Sequence, residues 1–206
     1  MVESSDGLHL KVRDDVSFDH ETEPSVSVTL TATDASGATY AESFTLEITD
    51  VNEAPVSIEL TSTTISENAS GTDLGVVSIT DVDAGDAHTI SVSDDRFEVV
   101  ESSDGLHLKV RDDVSFDHET EPSVSVTLTA TDASGATYAE SFTLEITDVN
   151  EAPVSIELTS TTISENASGT DLGVVSITDV DAGDAHTISV MTALRWSSRR
   201  WSAPEG

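Results

Sequence analysis

The sequence predicts an all-β protein built of tandem seven-stranded Greek-key β-sandwiches, and three observations carry that expectation. Apolar residues alternate with Ser and Thr over short segments, turn-forming clusters separate those segments, and one long stretch recurs without change. Residues 2–92 reappear as residues 100–190, an offset of 100 − 2 = 98. That period is too long for a solenoid repeat and has the size of a small sandwich domain in a tandem array.

One complete unit spans residues 54–151, with the C-terminal part of a repeat before it at 1–53 and the N-terminal part of a third after it at 152–190. Within the complete unit, period-2 alternation places strands at 57–60 with 63–66, then 74–80, 89–92, 97–100, 106–110, 124–131 and 140–147. The stretches ASGTD, DVDAGDA, SSDG and DASGA between them are rich in Gly, Asp and Ser, which favour turns. No segment has a helical period. In the last two strands Val124, Val126, Leu128, Ala130, Phe142, Leu144 and Ile146 share one face and Ser and Thr take the other, so the first face is predicted core. The two incomplete copies together lack only the counterparts of residues 93–98.

Composition narrows the function. The chain has 206 residues and a formal net charge of −32, from 40 acidic against 8 basic side chains. Nucleic acid and anionic membrane surfaces are therefore poor partners, and no nucleic acid is expected to bind, because like charge meets like. So many carboxylates also repel one another within a compact state unless cations bind or screen them. There is no cysteine, hence no disulfide and no thiolate metal site. No apolar run is long enough to span a bilayer, so membrane insertion by this chain is not expected.

Residues 191–206, MTALRWSSRRWSAPEG, leave the repeat abruptly. Codons for DDRFEVVESS read one base late give MTALRWSSRR, and codons for the next stretch read from a third base give WSAPEG. The tail is thus expected to be repeat DNA translated in shifted frames. Trp196 then requires GTG as the codon of Val99, the residue with which Met1 aligns. GTG is a bacterial start codon, so Met1 is expected to be an internal valine of a longer bacterial gene, and the missing signal segment carries no weight.

The acids are concentrated in turns and at the repeat boundary: SEN (Glu67), DVD (Asp81, Asp83), DHE (Asp117, Glu119), TDASG (Asp132) and TDVNEAP (Asp148, Asn150, Glu151). Calcium takes about six to eight oxygen ligands. No single cluster supplies them; several converging could. DVDAGDAHTISV is not an EF-hand loop, since Gly85 stands fifth where that loop needs its sixth residue and Val92 stands where it needs Glu.

The ordered set of Glu-Asn near the first strand, DxDxG after the second, DxE, TD before a turn, and DxNxxP at the end resembles the cadherin repeat, a sandwich of the cadherin/immunoglobulin-like type, over nearly the whole chain except the tail. The resemblance implies an extracellular or cell-surface array whose joints are stiffened by Ca2+. Its ligands at the first joint would be Asp19, Glu21, Asp50, Asn52 and Glu53 with Asp81, Asp83 and Asp132. At the second joint they would be Glu67, Asp117, Glu119, Asp148, Asn150 and Glu151 with Asp179 and Asp181. The first joint lacks an SEN glutamate and the second a counterpart of Asp132. DVNEAP is shorter than the family's DxNDNxP, and Ala87 and Ala185 stand where DxDxGxN has Asn, so a ligand there would be a backbone carbonyl.

The resemblance also implies the partners: adjacent repeats of the same chain, and other cell-surface proteins or glycans, with homophilic pairing among the options. Catalysis is not expected. The six histidines (His9, His20, His88, His107, His118, His186) are three positions counted twice, and no HExxH spacing or nucleophile elbow occurs. The alternatives are a carbohydrate-binding module, which would need an aromatic platform beyond Phe97, Phe116, Tyr138 and Phe142, and a passive spacer in a large secreted protein.

Overall fold

A computed structural model of the protein describes residues 2–4 and 7–190; residues 191–206, expected from the sequence to be read in shifted frames, lie outside the described residues. The chain is all β. The described residues form two compact units, divided between Asp148 and Val149.

The first unit opens with β1 (Val2–Ser4), β2 (Gly7–His9), β3 (Ser25–Thr33) and β4 (Thr39–Glu47). The complete repeat follows with β5 (Ser57–Leu60), β6 (Thr64–Ser66), β7 (Asp73–Thr80), β8 (Thr89–Val92), β9 (Phe97–Ser102), β10 (Gly105–Val110), β11 (Ser123–Thr131) and β12 (Thr137–Thr147). These make two four-stranded sheets, ordered β5-β7-β10-β9 and β6-β12-β11-β8. The strand count exceeds seven because the first predicted strand is broken between Leu60 and Thr64, and its halves join opposite sheets. β5 pairs antiparallel with β7, whereas β6 runs parallel to β12.

β11 and β12 show why these sequences form strands. SVSVTLTAT and TYAESFTLEIT are rich in β-branched and aromatic residues that pack well on a pleated surface. The DASG turn between them is closed by Asp132, whose carboxylate accepts the Ala136 N–H at 2.8 Å and the Ser134 hydroxyl at 2.9 Å. Gly135 supplies the positive φ of +93° that the turn needs. Alternation then sends Val124, Val126, Leu128 and Ala130, with Leu144 and Ile146, into the space between the sheets, where all are buried. They meet Ile58, Ile65, Leu74, Val77, Phe97, Leu108 and Val110 from the remaining strands, and Phe142 packs at the margin. At one end Arg96 chelates Asp94, pairs with Glu121 at 2.6 Å and lies over Phe116, which stacks on Phe97.

The first, incomplete copy keeps the local hairpins in the same register. β3 pairs β4 from Ser25↔Glu47 to Thr33↔Thr39, as β11 pairs β12. β4 stops at Glu47, however, whereas β12 continues to Thr147 along β6. In the second unit β13 (Ser155–Leu158) pairs with β14 (Val175–Thr178), but residues 162–164 and 187–190, identical in sequence to β6 and β8, are not strands. In the complete repeat the partners of these last two stretches, β12 and β11, both lie beyond residue 98.

Candidate metal centre

The linker after β4 carries Asp50, Asn52 and Glu53 to the turn after β7, which carries Asp81, Asp83 and Asp86. Asn52 Nδ2 donates to Asp132 Oδ2 at 2.8 Å, and the Glu53 N–H donates to Asp83 Oδ2 at 2.7 Å. These two bonds tie the first copy to the complete repeat within one unit.

Two acidic groups result. Glu21, Asp50, Glu53 and Asp83 each offer an oxygen within 4.8 Å of the others, and so do Asp81, Asp86 and Asp132. One cleft, lined by Glu21, Asp50, Asp83 and Asp86 among others, touches both groups. Asp19 plays a different part: its carboxylate accepts the N–H groups of Glu21 at 3.0 Å and Thr22 at 3.2 Å, bracing the loop that presents Glu21. Of the eight residues expected at this joint, four fall in the first group and two in the second. Asn52 bridges to the second, and Asp19 supports the first.

The titration behaviour follows the geometry. The Asn52 amide, then Ser134 and the turn N–H groups, hold the Asp132 carboxyl down to about 2. His88 Nε2, 2.7 Å from Asp81 Oδ2, lowers Asp81. Glu53 is raised, first by desolvation and then by the charges of Asp83, Glu21 and Asp50. His20 is raised by Glu21 and then Asp50. Carboxylates crowded in this way repel one another, and a divalent cation would relieve that repulsion.

The fit to a cation can be tested on single atoms. Asp83 Oδ1 and Asp86 Oδ2 are buried with no hydrogen-bond partner among the described residues. A buried carboxylate oxygen without a donor is costly, and hard oxygen donors of this kind suit calcium.

Elsewhere in the first unit, Glu67 is buried and its Oε2 accepts the His118 N–H at 2.8 Å, which joins the SEN and DHE motifs. His118, Glu119 and Asp148 form a further group, with Glu119 raised by desolvation and then by Glu67 and Asp148. Asp117 accepts the Thr120 N–H as Asp19 accepts that of Thr22. In the second unit the Glu151 N–H donates to Asp181 Oδ2 at 2.6 Å, the Asp181 N–H to Asp179 Oδ1 at 3.2 Å, and Asn150 Nδ2 to the Glu151 carbonyl at 2.7 Å. Asp181 Oδ1 repeats the buried, unpartnered oxygen of Asp83.

Sequence reasoning missed Asp86 and the histidines. Asp86 follows Gly85 in DVDAGD, next to the Ala87 position on which attention falls, and the third acid of that hexamer was the available signal. His88 stands seven residues beyond Asp81, a spacing that becomes a contact only through the turn.

No known family model matches the sequence. Solved structures do. The chain is similar to protocadherin gamma B2 extracellular cadherin domains 3–6, at 28% identity and a TM-score of 0.61 over 80% of this chain and 42% of that one. The chain consists of cadherin-like tandem repeats. It is also similar to protocadherin gamma B7 domains 3–6, a cis-dimer structure, at 29% identity and a TM-score of 0.59 over 82% of this chain and 43% of that one. Protocadherin gamma C5 domains 1–3 share the fold at 24% identity and a TM-score of 0.53, over 81% of this chain and 59% of that one. The cadherin-like chain therefore spans less than half the length of the first two structures.

Proposed function

We propose that this cadherin-like chain is a calcium-binding segment of a large extracellular or surface protein of bacterial origin, serving as a stiffened stalk or adhesion array and not as an enzyme. The carrying observation is the convergence of Glu21, Asp50 and Glu53 from one repeat on Asp83 of the next, with Asp83 Oδ1 buried and unpartnered. Glu21, Asp50, Glu53, Asp83, Asp81, Asp86 and Asp132 would hold the ions, with Asn52 orienting Asp132 and Asp19 bracing the loop of Glu21. On sequence grounds we extend the assignment to Glu67, Asp117, Glu119, Asp148, Asn150, Glu151, Asp179 and Asp181. Bound calcium supplies positive charge that cancels carboxylate repulsion and links two repeats at once, so its binding free energy adds to folding.

Residues on both sides of the joint then act as one clamp. Without the cation, the hydrogen bonds from Asn52 to Asp132 and from Glu53 to Asp83 work against the carboxylate repulsion that would open the joint. Small-angle scattering and thermal melting, each in calcium and in chelator, test this. Calcium should raise the melting temperature and lengthen the maximum dimension; identical values in both conditions would show these acids to be solvated turn residues.

A further inference from the structure

The turn between β7 and β8 carries the chain from one sheet to the other. Asp81 and Asp86 of this turn and Asp132 each offer an oxygen within 4.8 Å of the others. Carboxylates at that spacing drive one another apart unless other contacts fix them. Asp132 is fixed by Asn52, Ser134 and the DASG turn, and Asp86 is placed by its N–H, which donates to the Asp83 carbonyl at 3.3 Å. Asp81 is held through both oxygens. Its Oδ1 accepts the Asp83 N–H at 3.1 Å, a bond inside the turn, and its Oδ2 lies 2.7 Å from Nε2 of His88 at the far end of the turn. An ionised carboxylate can only accept, so the imidazole nitrogen is the donor. The Asp81 side chain is 4% exposed and that of His88 12%, so water competes little for the bond. Each carboxylate oxygen has two lone pairs, and one hydrogen bond apiece leaves one on each for a cation.

The second unit repeats this turn bond for bond. His186 Nε2 lies 2.6 Å from Asp179 Oδ2, Asp179 Oδ1 accepts the Asp181 N–H at 3.2 Å, and the Asp184 N–H donates to the Asp181 carbonyl at 3.5 Å. Residues 187–190 are not a strand there, whereas residues 89–92 are β8. The histidine contact therefore belongs to the turn itself and does not depend on the strand that follows.

We propose that His88, and His186 in the following copy, are positioning residues for the cation: the imidazole Nε2–H holds Asp81 among Asp86 and Asp132, so that the oxygens are gathered before the ion arrives. This inference rests on the calcium reading above. His88 acts through Asp81 and does not itself ligate. Without its donor, Asp81 is free to turn away from its like-charged neighbours, and the ion must then restrain it at a cost in affinity. Hydrogen-bonding partners of metal ligands typically carry about 10–100-fold of the affinity.

Calcium titration of the full chain in mildly alkaline buffer, followed by NMR through the amide signals of residues 81–88, tests the proposal. The wild-type signals should move as calcium binds. His88→Phe keeps a ring and removes the donor, and should weaken calcium binding at these signals by about 10–100-fold. His88→Gln, whose Nε2 can stand where the imidazole Nε2 stood, should bind close to the wild type. Hydrogen-exchange protection of β11 and β12 in chelator should be the same in all three chains, which separates positioning from loss of the fold. A second measurement needs no variant: ring nitrogen-15 spectra of the wild type in chelator should show His88 with its hydrogen on Nε2. A wild-type turn that does not respond to calcium would overturn the calcium reading and this inference together. With a wild type that does bind calcium, an unaffected Phe variant, a Gln variant as weak as the Phe one, or a hydrogen on Nδ1 would overturn the positioning role alone.

Discussion

Leu144 and Leu46 have identical sequence neighbours and the same hairpin register, so truncating each isolates the effect of the opposing sheet. Leu144 is fully enclosed, and Leu144→Ala removes buried carbons and leaves a cavity, a change that costs about 3–5 kcal/mol in well-packed cores. Leu46 is 38% exposed. Leu46→Ala leaves no enclosed void, so only part of the transfer free energy is lost, about 1 kcal/mol. The difference is a large fraction of the roughly 5–15 kcal/mol by which a domain is stable. Calorimetry at low protein concentration should show the main transition falling by roughly 10–25 °C for Leu144→Ala. It should barely move for Leu46→Ala, and exchange protection should be lost in β11–β12 only for the former. Equal shifts for the two variants would refute the claim that burial by the second sheet, and not the hairpin itself, sets the energy at this position.

Asp83→Asn combined with Asp181→Asn should shrink the difference in melting temperature between calcium and chelator, because each removes a charged oxygen while keeping the side chain's shape; a full calcium response in the double variant would count against the assignment. His107, held between Asp73 at 3.0 Å and Asp104 at 3.0 Å, is raised above 6.5 by Asp73 and then Asp104. Its stabilising contribution is fully present below pH 6.5 and is lost as pH rises through the raised value, so stability measured by urea unfolding should decline over that window and His107→Gln should remove the decline. Asp73 and Asp104 are lowered, so their contribution fades only in acid, below 3.8. Gly75→Ala should destabilise the complete repeat by about 1 kcal/mol or more in thermal melting, since its φ is +86° and an added Cβ would lie 2.9 Å from Thr61 Cβ.

Much of the fold was legible in the sequence because strand periodicity and turn chemistry are local. The core face of β11 and β12 follows from alternation alone, and the register of their hairpin follows from the DASG turn. The joint was anticipated for a different reason, the likeness of the ordered acidic motifs to the cadherin repeat, which led us to expect Glu21, Asp50, Glu53 and Asp83 to lie near one another as they do. Asp86 and His88 were not legible, since their nearness to Asp132 and Asp81 depends on the path of one turn through space. Nor did alternation reveal that the first strand divides between the two sheets.

The limit of local information is visible inside this chain, which carries the same residues in two settings. Residues 25–33 and 123–131 form the same strand in the same hairpin, because each finds its partner a few residues away. Residues 64–66 form a strand while 162–164 do not, although both read Thr-Ile-Ser. Sequence by itself determined the repeat, the hairpins, the alternating face and the order of the acids. Which strands form at the sheet edges, which leucines are buried and which carboxylates converge was decided only by tertiary structure, since those pairings join segments far apart in the chain, and a lone segment cannot offset the entropy of ordering without the partner that buries it.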